Sequence, residues 1–224
     1  MMDMICATRF NAEDFWMRSA LGQSLRRLSR DPRLKPHIAF ENKRGLPAVY
    51  NERLDAPDAS ALLVFIHDDV WLDDHFFVDH TVAALETADV VGVAGNRRRL
   101  PGQPSWAFST AAFDWEDSVH LSGTVAHAQH PFGTLAHFGP VPAACELLDG
   151  VLLGARRDTL RERQVHFDER FGFHFYDVDF CRTARQAGLR LTTWPIAITH
   201  QSKGNANSED WRRNHEAYLA KWGD

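Results

Sequence analysis

The stretch that decides the fold is residues 61–69, which read ALLVFIHDD. Residues 62–66 form a continuous apolar run, as expected for a parallel strand that is covered by helices on both faces. The run ends in His67, Asp68 and Asp69. In open α/β sheets, ligands bind outside the carboxyl ends of the strands. The stretch therefore predicts both a buried strand and a ligand site at its end.

Strand and helix patterns alternate along the first 94 residues. We predict strands over residues 4–8, 37–42, 62–66 and 90–94, with helices over 11–29, from 48 onward and over 74–87. This alternation predicts an α/β fold with a mainly parallel central sheet flanked by helices. Residues 95–142 are rich in Gly, Pro, Ser, His and aromatics, and we expect long loops there with a few antiparallel strands. A strand running into a helix (145–160), a helix (178–187), an extended segment (189–200) and a terminal helix should follow.

The composition excludes several classes of protein. The 224 residues carry a net charge of −5, which is unlike the basic field of a nucleic-acid binder. The three cysteines form no CxxC motif, so neither a disulfide framework nor a zinc knuckle is predicted, and a cytoplasmic location is expected. The N-terminus does not resemble a signal peptide. No run approaches the ~18 apolar residues of a membrane span, so we expect any membrane contact to be peripheral or made through a partner.

The carboxylates that follow the strand have two interpretations. Asp68 and Asp69 suit a hard cation such as Mg²⁺ or Mn²⁺, which takes oxygen ligands and shares its coordination sphere with substrate phosphates. They could equally belong to a polar turn between strand and helix. For Asp73 and Asp74, a turn and a helix cap are the simpler interpretation.

Two more polar clusters could carry chemistry. Asp177 and Asp179 lie in YDVDF at the start of a helix, where one of them could serve as a cap. Their aromatic setting would shift carboxylate pKa values, which also makes them candidates for a general base. His200 ends an extended segment ahead of a Lys-Gly loop at residues 203–204, so it is either structural or a ligand or phosphate contact.

Together these clusters resemble a known family. LVFIHDDVWL resembles the DxD strand end of family-2 glycosyltransferases with the GT-A fold, in the subgroup with a His-Asp-Asp-Val or His-Gln-Asp-Val element. LLDGVLLGARRDTL and FDERFGFHFYDVDFCRTARQAGLRLTTWPIAITH are similar to the second half of those enzymes, and ENKRGLPAVYNERLD to the segment before the DxD strand. The resemblance implies a single GT-A domain over 1–224, with a nucleotide-binding half (1–94) and an acceptor-side half (95–224).

The resemblance also implies roles for individual residues. Asp69 would be the main ligand of Mn²⁺ or Mg²⁺, with Asp68 beside it and His200 near the metal and the pyrophosphate. Asp177 would be the general base that deprotonates the acceptor hydroxyl, and Asp179 would orient the motif.

The nucleotide-sugar donor would lie at the first two strand ends, against Thr8, Arg9 and Asn42. Asp149 would face the sugar or the acceptor, a glycan or glycoconjugate. Two residues depart from the usual pattern: His67 stands where the DxD begins with Asp, and Tyr176 where the acidic motif has Glu.

The resulting hypothesis is a metal-dependent, inverting glycosyltransferase of the hexosyltransferase type. The alternative is a GT-A-like domain that binds a nucleotide-sugar or glycan without turnover. A metal-dependent hydrolase is disfavoured, because no HxH or HExxH spacing occurs. Three further groups of residues have less specific expectations. The histidines at 127, 130, 137, 166 and 174 are expected in loops and on the surface, Arg97–Arg99 in a solvated loop or on an anion, and the aromatics at 106, 108, 113 and 115 on sugar rings or in a small core.

Overall fold

A computed structural model describes residues 1–202 and 208–224. Its strands are β1 (Met2–Ala7), β2 (Leu34–Ala39), β3 (Leu62–Ile66), β4 (Val70–Leu72), β5 (Val90–Gly92), β6 (Ala94–Asn96), β7 (Leu121–His127), β8 (Thr134–Gly139), β9 (Ala143–Cys145), β10 (Leu147–Leu148), β11 (Leu152–Arg156), β12 (Leu191–Thr193) and β13 (Ile198–His200). Its helices are α1 (Ala12–Arg18), α2 (Ala20–Leu28), α3 (Leu46–Asp55), α4 (Phe77–Thr87), α5 (Arg157–Glu162), α6 (Tyr176–Gln186) and α7 (Glu209–Trp222), with a 3-10 turn at Ser118–His120.

The central sheet has the strand order β2-β1-β3-β11-β5-β12-β9. Strand β1 pairs in parallel with β2 and β3, and β5 pairs in parallel with β12. Strand β11 is antiparallel to both β3 and β5, so these two groups of parallel strands run in the same direction. Only β11 and the edge strand β9 run against the other strands of this sheet. The prediction of a mainly parallel sheet in an α/β fold is therefore confirmed.

Strand β3 lies at the centre of this core. Residues 63–66 are fully buried, which matches their unbroken apolar sequence. On one face, the Phe65 ring packs against Tyr50 of α3 and against Phe167, with ring centroids 4.9 Å apart in both pairs. On the other face, a Cβ on Gly154 of β11 would lie 3.5 Å from Thr81 of α4, so this helix packs closely on the sheet. Helices thus cover both faces of the sheet at the point where the site is built.

A second sheet lies beside the first, with the order β10-β6-β7-β13-β4 and with β8 paired to β7. Its strands β6, β7 and β8 lie wholly or partly within residues 95–142, where long loops and a few antiparallel strands were expected, and they are antiparallel neighbours. Strand β13 joins β7 in parallel and β4 in antiparallel orientation. This pairing brings the end of β13 next to the chain segment that follows β3.

Several predicted element boundaries were wrong, and three of them bear on the site or on the sheets. The helix expected over 11–29 breaks at Ser19, whose extended backbone ends α1 and whose side chain accepts a hydrogen bond from Gly22 N to begin α2. The second strand ends at residue 39, earlier than expected, and Glu41 beyond it has a left-handed backbone (φ 48°). The strand expected over 90–94 is two strands, β5 and β6, which belong to different sheets.

The Lys-Gly loop predicted after His200, at residues 203 and 204, lies outside the described residues. Among the helices that are described, none is both long and apolar enough to cross a membrane.

Candidate active site

Polar side chains from several elements meet at the carboxyl end of β3. The segment 67–69 links β3 to β4, and His200 ends β13 directly opposite Val70 of β4. His127 of β7 lies in register with His200 on the other side. Strand pairing between distant parts of the chain therefore brings His200 and His127 to this point. The carboxylates of Asp68 and Asp69 follow β3 directly in the sequence.

The ligand atoms of His67, Asp69 and His200 all lie within 4.8 Å of one another. His200 Nε2 is 3.3 Å from Asp69 Oδ2. The other carboxylate oxygen, Asp69 Oδ1, is buried and has no hydrogen-bond partner among the described residues. A buried, unpaired carboxylate oxygen is costly unless a cation or a donor satisfies it. Two imidazoles and a carboxylate with a free oxygen fit a divalent metal ion.

The protonation states of Asp69 and His67 suit a ligand role, whereas His200 would have to lose its proton to bind a metal ion. Burial disfavours the charge of Asp69, but its hydrogen bond with His200 and the nearby imidazole charges lower the pKa of Asp69 to about 2. Burial also acts against the charge of His200, yet Asp69 raises the pKa of that imidazole. Burial lowers the pKa of His67. At neutral pH the group therefore offers an ionised carboxylate and a neutral His67.

Asp68, predicted as a metal ligand, lies outside this group. Its carboxylate faces β1, where it accepts a 2.5 Å hydrogen bond from the Thr8 hydroxyl. Burial raises the pKa of Asp68, and the hydrogen bond from Thr8 opposes that rise. His67 occupies the third position of the group instead, although the sequence pattern marks it only as a departure from the usual DxD. The spacing of two between His67 and Asp69 is the sequence signal that could have identified it.

Asp177, the predicted general base, lies in the first turn of α6. Its Oδ2 accepts a hydrogen bond from Gly150 N at 3.1 Å. Burial and then the negative charge of Asp149 raise the pKa of Asp177 to about 6. A carboxylate with such a pKa is ionised at neutral pH and can still take up a proton, as a general base must.

Gly150 is required by the close approach of α6. A Cβ at this position would lie 2.3 Å from Tyr176 Oη and 2.8 Å from Asp177 Cβ. Phe175, just before α6, has a left-handed backbone (φ 67°), an uncommon conformation for a bulky residue. Its ring packs at 5.3 Å from both Trp211 and His215 of α7. The start of α6 is thus held firmly against the loop at 149–150.

Asp179 was predicted as a catalytic residue together with Asp177, and the structure corrects this. Residues two positions apart on a helix point about 200° apart, so the two carboxylates diverge. The fully buried Asp179 accepts hydrogen bonds from Lys221 Nζ (2.8 Å) and Trp222 Nε1 (2.9 Å) of α7. It anchors the terminal helix and leaves Asp177 as the carboxylate of this motif that faces the site.

The predicted nucleotide-binding residues lie at the adjoining strand ends. Thr8 follows β1, and its carbonyl accepts a 2.8 Å hydrogen bond from Asn42 N beyond β2. Arg9 is exposed beside them. Asp149 accepts a hydrogen bond from Val151 N at 2.9 Å. Its negative charge helps to raise the pKa of Asp177, and it favours the charged form of both histidines in the metal-ligand group, which consists of His67, Asp69 and His200.

Other predicted polar residues have structural roles. Asp73 accepts hydrogen bonds from the Thr199 hydroxyl and Phe132 N, and Asp74 accepts one from Phe76 N, so a turn is confirmed for this pair. The predicted helix cap is wrong, because α4 begins after Phe76 without a side-chain cap. Within 97–99, Arg98 pairs with the buried Glu116 at 2.7 Å, and Arg99 pairs with Asp224 at 3.0 Å, so this run forms ion pairs within the protein.

Two remaining sequence predictions have clear outcomes. Of the aromatics in the 95–142 stretch, Trp106 is buried and Phe113 packs on Trp211, which favours a small core, whereas Trp115 is 61% exposed. His127 is not a loop residue: it lies on β7, and its ring is 6.2 Å from that of His200.

Solved structures with the same fold include several glycosyltransferases. GalNAc-T7, solved with UDP, GalNAc and Mn²⁺, has 10% identity and a TM-score of 0.60, with 98% of this chain and 48% of that chain covered. The catalytic domain of Drosophila beta1,4-galactosyltransferase 7, solved with xylobiose, has 13% identity and a TM-score of 0.50, with 96% and 79% covered. A mutant of the Drosophila enzyme, solved with manganese, UDP-Gal and xylobiose, has 10% identity and a TM-score of 0.50, with the same coverage. The chain thus spans about half the length of GalNAc-T7.

At such low identities, the structural similarity shows the fold alone, which is that of GT-A glycosyltransferase domains. A comparison with curated proteins found no match. A family model described as "Glycosyltransferase like family" matches residues 35–222, most of the chain, including both the segment after β3 and α6. The chain therefore belongs to the glycosyltransferase-like family.

Proposed function

We propose that this protein is a metal-dependent glycosyltransferase that moves a hexosyl group from a nucleotide-diphosphate-sugar to a hydroxyl of a glycan or glycoconjugate, with inversion at the anomeric carbon. The observation that carries the proposal is the convergence of His67, Asp69 and His200 on one sheet edge, next to the loop that contacts Asp177. A metal-ligand group and a carboxylate of raised pKa are the two components that this reaction needs.

His67, Asp69 and His200 would hold the divalent cation. When bound, the cation neutralises charge on the donor diphosphate and stabilises the leaving nucleoside diphosphate. Because two of the three ligands are imidazoles, and Mg²⁺ strongly prefers oxygen, the group favours Mn²⁺ over Mg²⁺. The unpaired Asp69 Oδ1 supports this assignment, since a cation would satisfy it.

Asp177 would act as the general base. With a pKa of about 6, it is mostly ionised at pH 7 and above, and it can accept the proton of the acceptor hydroxyl as the oxygen attacks the anomeric carbon. The hydrogen bond from Gly150 N to Oδ2 holds the Asp177 carboxylate in place. A single displacement assisted by one base gives inversion.

The donor and the acceptor would occupy different halves of the chain. Thr8, Asp68 and Asn42 at the ends of β1 to β3 support a nucleotide pocket in the 1–94 half. In the 95–224 half, the half-exposed Phe173 stacks on His67 with ring centroids 5.7 Å apart. An exposed aromatic ring beside the metal ligands suits the apolar face of a sugar. A cytoplasmic location is part of the same proposal, supported by three buried free cysteines at 6, 145 and 181.

A thermal-shift screen of nucleoside diphosphates and nucleotide-sugars, with and without Mn²⁺, tests the proposal. We expect stabilisation only when Mn²⁺ and one nucleoside diphosphate are both present, and no stabilisation in Asp69→Asn. A binding protein without turnover would give the same shifts, but it would release no nucleoside diphosphate from its nucleotide-sugar in the presence of acceptor. No shift with any pair would overturn the proposal.

A further inference from the structure

A buried hydrogen-bonded chain lies behind the metal-ligand group. His67 Nε2 is 2.8 Å from Tyr176 Oη, and Tyr176 Oη is 2.7 Å from the Gly150 carbonyl oxygen. Tyr176 is 2% exposed. The two residues that depart from the usual family pattern, His67 and Tyr176, are therefore in direct contact.

The proton positions in this chain follow from the groups involved. A carbonyl oxygen can only accept, so the single hydroxyl proton of Tyr176 is donated to Gly150 O. The proton between His67 and Tyr176 must then come from His67, which donates from Nε2 to the phenolic oxygen. A neutral imidazole carries one N–H. With that proton on Nε2, the lone pair of His67 that is free to bind a cation is on Nδ1.

We propose that Tyr176 is a positioning residue that fixes His67 in the Nε2–H tautomer and so makes Nδ1 the metal-binding nitrogen. The inference rests on the proposed function, because it assumes that His67 is a ligand. Ligating histidines commonly donate their second N–H to a protein oxygen, which fixes the tautomer and the ring orientation. Here a tyrosine oxygen would serve in place of the more usual carboxylate, backbone carbonyl or water.

The surroundings of the pair keep its geometry rigid. Phe173 stacks on His67 with an interplanar angle of 26°, which restricts rotation of the imidazole. Tyr176 Oη can reach Gly150 O only because residue 150 has no side chain. The left-handed backbone of Phe175 fixes the position from which Tyr176 projects. A tyrosine fixed by its hydrogen bond to Gly150 O and by the backbone before it suits a role in orienting its partner.

The first test measures the tautomer directly in the metal-free wild-type protein. Two-bond proton–nitrogen correlation spectra of ¹⁵N-histidine-labelled protein distinguish the two tautomers of each imidazole, and His67 is identified by the signal that disappears in His67→Gln. We expect the Nε2–H form for His67. Finding the Nδ1–H form would overturn the inference, and this result needs no variant at position 176.

The second test measures Mn²⁺ affinity by electron paramagnetic resonance, without nucleotide or acceptor. Tyr176→Phe should weaken Mn²⁺ binding roughly 10- to 100-fold. The matched control is Tyr218→Phe, which removes another buried hydroxyl, one that accepts a hydrogen bond from Arg182. It should leave Mn²⁺ affinity unchanged. Equal affinity in wild type and Tyr176→Phe would overturn the positioning role.

These outcomes separate the inference from the proposed function. Mn²⁺ binding that depends on Tyr176, in a protein that no nucleoside diphosphate stabilises, would keep the inference and remove the glycosyltransferase proposal. If Mn²⁺ and a nucleoside diphosphate stabilise wild type and Tyr176→Phe equally, the glycosyltransferase proposal is kept and the positioning role of Tyr176 is removed.

Discussion

Replacing Asp177 by Asn should stabilise the folded protein while it greatly lowers turnover. The pKa of Asp177 is raised from an ordinary value of 3.8 to about 6, and the gap corresponds to about 3 kcal/mol. Below pH 3.8 both the folded and the unfolded states hold the proton, so the residue has no effect. Between pH 4 and 6 the unfolded state ionises first, and the wild type loses stability as pH rises. Above pH 6 Asp177 is ionised in the folded state as well, and the wild type is less stable by the full amount of about 3 kcal/mol.

Asparagine cannot ionise, and its Oδ1 can still accept the hydrogen bond from Gly150 N. Asp177→Asn should therefore raise the free energy of unfolding by about 3 kcal/mol at pH 8 and by close to zero at pH 3.5. Urea unfolding at several pH values measures this difference. Loss of the base should lower kcat by roughly 10²- to 10⁴-fold and leave binding of nucleoside diphosphate with Mn²⁺ intact.

The control is Asp168→Asn, whose effect on the free energy of unfolding should have the opposite sign. The hydrogen bond from Arg170, followed by that from Lys221, holds the pKa of Asp168 below its ordinary value, so Asp168→Asn should lose stability at neutral pH. If Asp177→Asn gives no gain at pH 8, or the same gain at pH 3.5 and pH 8, the pKa of Asp177 is not raised in the folded protein. Unchanged kcat in Asp177→Asn would refute its role as the base.

Two other predictions concern the contacts of α6. Gly150→Ala places a Cβ 2.3 Å from Tyr176 Oη, which must move by about 1 Å, and turnover should fall roughly 10²-fold. Gly172→Ala, whose Cβ would meet nothing closer than 3.8 Å, should keep wild-type kcat, and equal activity in both variants would contradict the close approach. Lys221→Met leaves the buried Asp179 without its ion-pair partner and should lower the free energy of unfolding by roughly 3 kcal/mol. Urea unfolding measures this, and an unchanged midpoint would show that Asp179 does not anchor α7.

Strand β3 and its polar end were predictable because the information is local. An unbroken apolar run followed by carboxylates needs no knowledge of distant residues. The antiparallel insertion of β11 between β3 and β5 was not predictable, since an apolar strand carries no sign of its partner's direction. The break of the first helix at Ser19 was missed because apolar spacing continues across it, while the serine side chain caps the second helix.

The residues of the candidate site also fall into those that local sequence patterns predict and those that only the fold brings together. Asp69 and Asp177 were identified from sequence, because each follows or begins an element with a strong local pattern. The divergence of Asp179 from Asp177 could have been predicted from helix geometry. The approach of His200 to Asp69 depends on the pairing of β13 with β4, and that of His127 to His200 on the pairing of β13 with β7. Such long-range pairing is set by the whole fold, so local sequence patterns do not reveal it.

We propose that His67, Asp69 and His200 form a metal centre at the end of β3. Anomalous diffraction from crystals grown with Mn²⁺ and a nucleoside diphosphate locates the metal directly. We predict a strong manganese peak bounded by these three side chains, with the diphosphate on its open side. A peak at other residues, or full occupancy of the nucleotide pocket with no manganese beside Asp69, would contradict the account.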